Sequence, residues 1–120
     1  AAATAIDARD LHELPLISFS GTLAIGAALE SAFAETGASR RISVEVGQTF
    51  LACALVNAGA GIAVVDNLVV GNLRRGLVVK PFKPKRVIRL YALSRQDRLS
   101  LAAQALLEAL GRSSPAISRI

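Results

Sequence analysis

Methionine and tryptophan are missing from this 120-residue chain, and cysteine and histidine occur once each. The lone cysteine, Cys53, excludes an internal disulfide and any multi-cysteine zinc site. With His12 as the only imidazole there is no His-based metal cluster or dyad, so neither a metal nor a cofactor is expected. A nascent chain begins with Met, so the sequence reads as a processed chain or, the reading adopted, an internal piece of a longer one. No stretch reaches the ~18 consecutive apolar residues of a membrane span. Residues 1–10 have neither the basic start nor the apolar run of a secretory signal. Aromatics are scarce, at 4%.

What is present is mostly apolar. Hydrophobic residues make up 52% of the chain and charged ones 19%, which excludes disorder by composition and fits one domain with a core. The formal charge of +5 is unevenly spread. Of fourteen Lys and Arg, nine lie between Arg74 and Arg98 against one acid, Asp97. A basic block of this kind can follow phosphates or form a solvated edge that discourages strand aggregation. Single-stranded nucleic acid calls for interleaved aromatics, and only Phe82 and Tyr91 lie near Lys83-Pro84-Lys85-Arg86. The solvated edge is the stronger reading.

Periodicity orders the elements. Leu14 to Phe19 is a short apolar strand, followed by the turn Ser20-Gly21-Thr22 with Thr22 as helix N-cap. Ile25, Leu29 and Phe33 recur at i+4, and Gly37 stands where a C-cap needs positive φ. Ile42, Val44 and Val46 alternate with Arg41, Ser43 and Glu45, the pattern of a strand with one wet face. Gly47-Gln48-Thr49 turns into a second helix, Phe50 to Ala58, ending at Gly59. Gly61 to Val65 lacks polar alternation and reads as a buried parallel strand. A short helix or turn over Asn67 to Arg74 and a brief strand at Leu77-Val78-Val79 follow. Pro81 to Lys85 reads as a crossover, Arg86 to Leu93 as a strand, and Ser100 as the cap of a helix through Leu110 that Gly111 ends. The tail to Ile120 reads as frayed. Alternating elements with short loops predict an α/β fold: a mostly parallel sheet flanked by helices, with right-handed connections.

Chemistry has two candidate seats, Ser20-Gly21-Thr22 and Gly47-Gln48-Thr49. In a parallel sheet both turns leave the carboxyl ends of strands on one edge, offering helix N–H groups, a positive dipole end and hydroxyl or amide groups to a small anion. Ser and Thr also cap helices everywhere, so each turn alone is more often just a cap, and it is the pair on one edge that gives the ligand reading equal weight. Gly59-Ala60-Gly61 closes a helix and opens a strand, the reverse of the dinucleotide fingerprint. Asp66 can cap the next helix or meet a cationic group in a cleft. Cys53 reads as a small buried thiol. No placed acid, base or nucleophile emerges, so no catalytic residue is assigned and the chain is not read as an enzyme.

The run Ala54-Leu55-Val56-Asn57-Ala58-Gly59-Ala60-Gly61-Ile62-Ala63-Val64-Val65 resembles the segment "ALVxxGxGIAxxP" of the effector-binding domain of LysR-type transcriptional regulators. In the expected order, Asp10-Leu11 and Leu14-Pro15-Leu16-Ile17 resemble its "DLxxxPLI". Leu90-Tyr91-Ala92-Leu93-Ser94-Arg95 with Leu99-Ser100 and the following helix resembles its ending. The resemblance spans roughly residues 10 to 112. It implies half of a periplasmic-binding-protein-like regulatory region: a hinge over 1–11, effector-binding subdomain II over 12–83, a returning strand and helix over 84–112 that pack on an absent subdomain I, and a tail over 113–120. It implies effector contacts at Ser20, Gly21, Thr22, Gln48, Thr49 and Phe50.

Where the family usually has Pro after the buried strand this chain has Asp66. That departure resembles the branch responding to amino-acid derivatives such as opines, and implies an amino-acid-like, cationic effector at Asp66, while the turns themselves suit an anionic group. The resemblance further implies a cytoplasmic homo-oligomer that meets DNA only through a winged helix-turn-helix absent from this chain, with no membrane partner. Lost neighbours around the C-terminal segment imply self-association or difficulty in folding alone. Two other readings stay open: a fragment of a transporter's solute-binding protein, and a small basic nucleic-acid module using Arg74 to Arg98.

Overall fold

The computed structural model describes residues 4–95 and 99–113. Its centre is a three-stranded parallel sheet in the order β3-β2-β4, built from β2 (Pro15–Phe19), β3 (Arg41–Val46) and β4 (Ile62–Ala63). Between β2 and β3 runs α1 (Ala24–Thr36), and between β3 and β4 runs α2 (Thr49–Asn57). These two crossovers travel in opposite directions across the sheet. Right-handed connections therefore put α1 and α2 on opposite faces, and both pack on β2. Sandwiched in this way, β2 is buried along Leu16 to Phe19, which is why its sequence shows no polar alternation beyond Ser18.

Two clusters form the core. Ile17, Phe19, Leu29, Val46 and Ala52 make one, and Ala8, Leu11, Leu16 and Phe33 the other. Phe33 also stacks on Phe82, with ring centroids 6.1 Å apart. Helix α1 ends at Gly37, whose φ of 72° places it in the left-handed region, and its N–H reaches back to Ala34 O; the expected C-cap stands where the spacing put it. β3 lies on the sheet edge and buries only Val46. A register shift between Leu16 and Ile17 leaves Ser43 as an extra residue in β3, and its hydroxyl donates to Leu16 O at 3.1 Å. This is a bulge stabilised by its own side chain.

A second sheet escaped the periodicity. β1 (Ile6–Asp7) pairs in parallel with β5 (Phe82–Lys83), so the stretch read as a bare crossover holds a short ladder. Next to β1 a 3-10 turn, Ala8–Leu11, is closed by a reciprocal capping box between Asp7 and Asp10.

Four expectations need correction. Thr22 does not cap α1; the N-cap is Leu23, without a side-chain bond, because the Thr22 hydroxyl is taken by Ser20 Oγ at 3.0 Å. The strand expected to be buried at 61–65 forms ladder pairs only at Ile62 and Ala63, and none of its residues is fully buried, because β4 is a sheet edge that leaves Ile62 46% exposed. Leu77-Val78-Val79 and Arg86 to Leu93 form no strands. A strand needs a neighbour to take its N–H and C=O groups, and no described strand lies alongside either segment, so Val78, Val87, Leu90 and Leu93 stand exposed. Gly111 does not end the last helix: α4 runs Leu101–Ser113, with Ser100 Oγ accepting from Ala103 N at 3.1 Å as expected. The tail beyond Ser113 lies outside the described residues.

Candidate functional site

The three parallel strands end on one edge, and each hands the chain to a turn there. The turn after β2 carries Ser20, Gly21 and Thr22. Thr22 N donates to Ser20 Oγ at 3.3 Å, and Leu23 N donates to Ser20 O at 3.0 Å. The Ser20 hydroxyl is thus used within the turn, by Thr22 N and the Thr22 hydroxyl, and the first-turn N–H groups of α1 receive no side-chain cap. The turn is held down by Gly26. A Cβ at that position would stand 1.9 Å from Ser20 O, so only glycine lets α1 lie this close to the end of β2.

The turn after β3 places Gln48 at the N-cap of α2, again without a side-chain bond. Gln48 is exposed and Thr49 half-buried. After β4, Asp66 caps the short helix α3 (Asn67–Val70), its Oδ1 accepting from Leu68 N at 3.1 Å. Its other oxygen, Oδ2, accepts a hydrogen bond from Thr49 Oγ1. Since β3 and β4 flank β2 on opposite sides, this bond reaches across the carboxyl end of the central strand. Such a point, where connections leave a parallel sheet in opposite directions, is where open α/β sheets form a crevice.

Ser20, Gly21, Thr22, Gln48, Thr49 and Asp66 thus share one rim. Phe50 stands apart. It is 60% exposed and borders a different hollow of 520 Å³ with Cys53, Ala54, Asn57, Asn72, Leu73 and residues 75–77. Two groups went unread in the sequence. Glu30 Oε2 comes within 2.9 Å of where a Gly21 Cβ would be, so a second carboxylate overhangs the rim. Arg40 braces the turn from below, donating to buried Ser18 Oγ at 3.3 Å and to Gly26 O at 3.4 Å. Neither follows any spacing rule, because each depends on how α1 folds back over β2. Gly26 itself was readable in principle, as a glycine inside an otherwise alanine-rich helix.

Beneath the rim Cys53 is buried, and burial together with the charge of Asp66 pushes its thiol above the ordinary range. That suits an inert packing thiol rather than a nucleophile. Among the described residues no group of three or more His, Cys, Asp or Glu could hold a metal, and no helix is long and apolar enough to cross a membrane.

The sequence model of the family described as LysR substrate binding domain matches residues 1–114. The chain belongs to that family. No curated protein and no solved structure matches it. As a LysR substrate-binding domain it is the effector-binding region of a LysR-type regulator, and its mixed α/β layers with parallel sheets are those expected of the periplasmic-binding-protein-like class. Domains of this family belong to regulators.

Proposed function

We propose that this LysR substrate-binding domain senses an amino acid or amino-acid derivative with a cationic end, at the rim formed by Ser20, Gly21, Thr22, Gln48, Thr49 and Asp66. The observation that carries the reading is the pairing of opposite features on one edge. Two helices begin there without side-chain caps, which favours a carboxylate. Asp66 and the overhanging Glu30 favour an ammonium or guanidinium. A zwitterion with a basic end satisfies both.

In this reading residues 12–83 are the effector-binding unit, and a second lobe of the regulator closes over the guest. The effector stabilises the closed arrangement by its differential affinity, and the shift passes through a homo-oligomer to DNA in the cytoplasm. The segment from Arg86 onward belongs with the second lobe, which accounts for its exposed Val87, Leu90 and Leu93. The bridge from Thr49 to Asp66 acts as a latch that the guest's cationic end competes for.

Amide chemical-shift titration of the 120-residue chain tests the proposal, with L-arginine, L-lysine and L-glutamate as probes. Arginine or lysine is expected to shift Thr22, Gln48, Thr49 and Asp66 saturably, glutamate far less. Asp66→Asn is expected to weaken binding by roughly tenfold or more, the scale of a lost charge-assisted hydrogen bond. Unshifted rim amides with all three probes, or equal affinity in Asp66→Asn, would sink the assignment.

A further inference from the structure

The basic block that the effector rim leaves unused has a structural counterpart. Residues 77–83 run back past β4, α2 and α3, and between them opens a groove of 740 Å³, a size typical of small-molecule sites. Its walls are apolar, with Leu11, Val56, Ile62, Val64, Val79 and Phe82 among the lining. Arg74, Lys80, Lys83 and Lys85 line it too, and no Asp or Glu does. None of the rim residues Ser20, Thr22, Gln48, Thr49 and Asp66 contributes to it, and it meets the rim only where Val65 and Asn67 flank Asp66.

Asp7, which feels the charge of Lys83, is ion-paired with Arg9. Among the described residues none of the four cations forms an ion pair. The apolar wall is itself open, with Ile62 46% and Val79 38% exposed. Hydrocarbon surface left in water asks for an apolar occupant, and four unpaired cations beside it ask for that occupant to carry a negative head.

We infer that this groove is a second binding site, for a single-chain fatty carboxylate: the chain lies against Ile62, Val64 and Val79, and the head sits among Lys80, Lys83 and Lys85. The charge requirement separates this occupant from generic grease. Calorimetric titration of the 120-residue chain with dodecanoate, held below its micelle-forming concentration, is expected to show one saturable site. Dodecanol, with the same chain and no charge, is expected to bind roughly tenfold more weakly or worse.

Lys80→Gln combined with Lys83→Gln is expected to erase that difference by weakening dodecanoate alone. Val79→Glu is expected to abolish binding of both, with far-UV circular dichroism confirming the fold; should it unfold the chain, the paired lysine variant decides by itself. Four results overturn the inference: no saturable heat, equal affinity for dodecanoate and dodecanol, binding only to phosphatidylglycerol vesicles and not to free dodecanoate, or a dimer in sedimentation that Val79→Glu dissociates. The last two would give the groove to a membrane or to a second copy of the chain.

Discussion

The stretch from Pro15 to Val65 and the stretch from Leu77 to Ser113 are both rich in Leu, Val, Ala and Ile, yet the first is packed and the second, apart from Phe82 on the core, is largely exposed. In the former, Leu16, Ile17, Phe19 and Leu29 are almost wholly buried; in the latter Val78, Leu93 and Leu101 are between 84% and 94% exposed. Apolar composition creates a demand for burial, and topology decides whether it is met. The first stretch supplies its own partners, because β2 finds β3 and β4 beside it and a helix on each face. Beyond the β5 ladder, the second finds no such strand partner among the described residues.

The widest separation between the two regions should appear in truncations. Phe19→Ala removes a ring that is 1% exposed and is expected to cost about 3–5 kcal/mol in urea unfolding, enough to unfold much of a marginally stable domain. Leu93→Ala, at 94% exposure, is expected to stay within about 0.5 kcal/mol. A Leu93 effect near that of Phe19 would break the comparison and mean that residues 86–93 are packed in solution.

Within the packed region the next effect in size belongs to Gly26→Ala. The added methyl meets backbone, not a flexible side chain, at 1.9 Å from Ser20 O, so either α1 slides or the turn moves. A loss of about 1–3 kcal/mol is expected, as for overpacked cores. Its signature is local as well, since amide shifts at Ser20, Gly21 and Thr22 should exceed those at Gln48 and Thr49. If Gly26→Ala left both stability and the turn unchanged, the close approach of α1 to β2 would be refuted.

Across the seam between the regions effects become small. Arg86 pairs with Glu35 of α1 and also reaches Ser31 Oγ at 3.4 Å, tying the return segment to the packed unit. The Glu35 side chain is 59% exposed, so solvent screens the pair. A double-mutant cycle over Arg86→Ala and Glu35→Ala is expected to give at most about 1 kcal/mol of coupling, shrinking further in salt. Coupling of several kcal/mol would show that the seam is much less wet than it looks.

The same contrast governs what could be read in advance. α1 with Gly37, the alternating edge strand β3, α2 and the Ser100 cap of α4 are written locally, in spacings of two or 3.6 residues and in cap chemistry. β1 and β5 were invisible because their two-residue ladder joins residues 76 apart, and nothing within either segment announces the other. The strands expected at 77–79 and 86–93 had the right residues and no neighbour, which periodicity cannot know. At the rim, the sequence put Thr49 and Asp66 after successive strands, but the bond between them depends on the order β3-β2-β4, and the reach of Glu30 and Arg40 depends on the lie of α1.

The smallest effect sits where chain start and return segment meet. Arg9 donates to Asp7 from both its side chain and its backbone, and these bonds hold the Asp7 carboxyl at about 2 against an ordinary 3.8. A carboxyl whose folded value is depressed adds stability that is complete above the ordinary value and is lost as pH falls from about 3.8 through about 2. The Arg9 side chain is 71% exposed and that of Asp7 27%, so solvent screens the pair and the contribution is small, and it concerns β1 and its ladder with β5 more than the buried core. Thermal unfolding between pH 6 and pH 2 should therefore show wild type losing part of its advantage over Asp7→Asn below pH 4, with the two converging near pH 2. Amide exchange should report the difference first at Ile6 and at the 3-10 turn. An advantage that grew on acidification would reverse the assigned sign, and with it the role of Asp7 as the ionised cap of that turn.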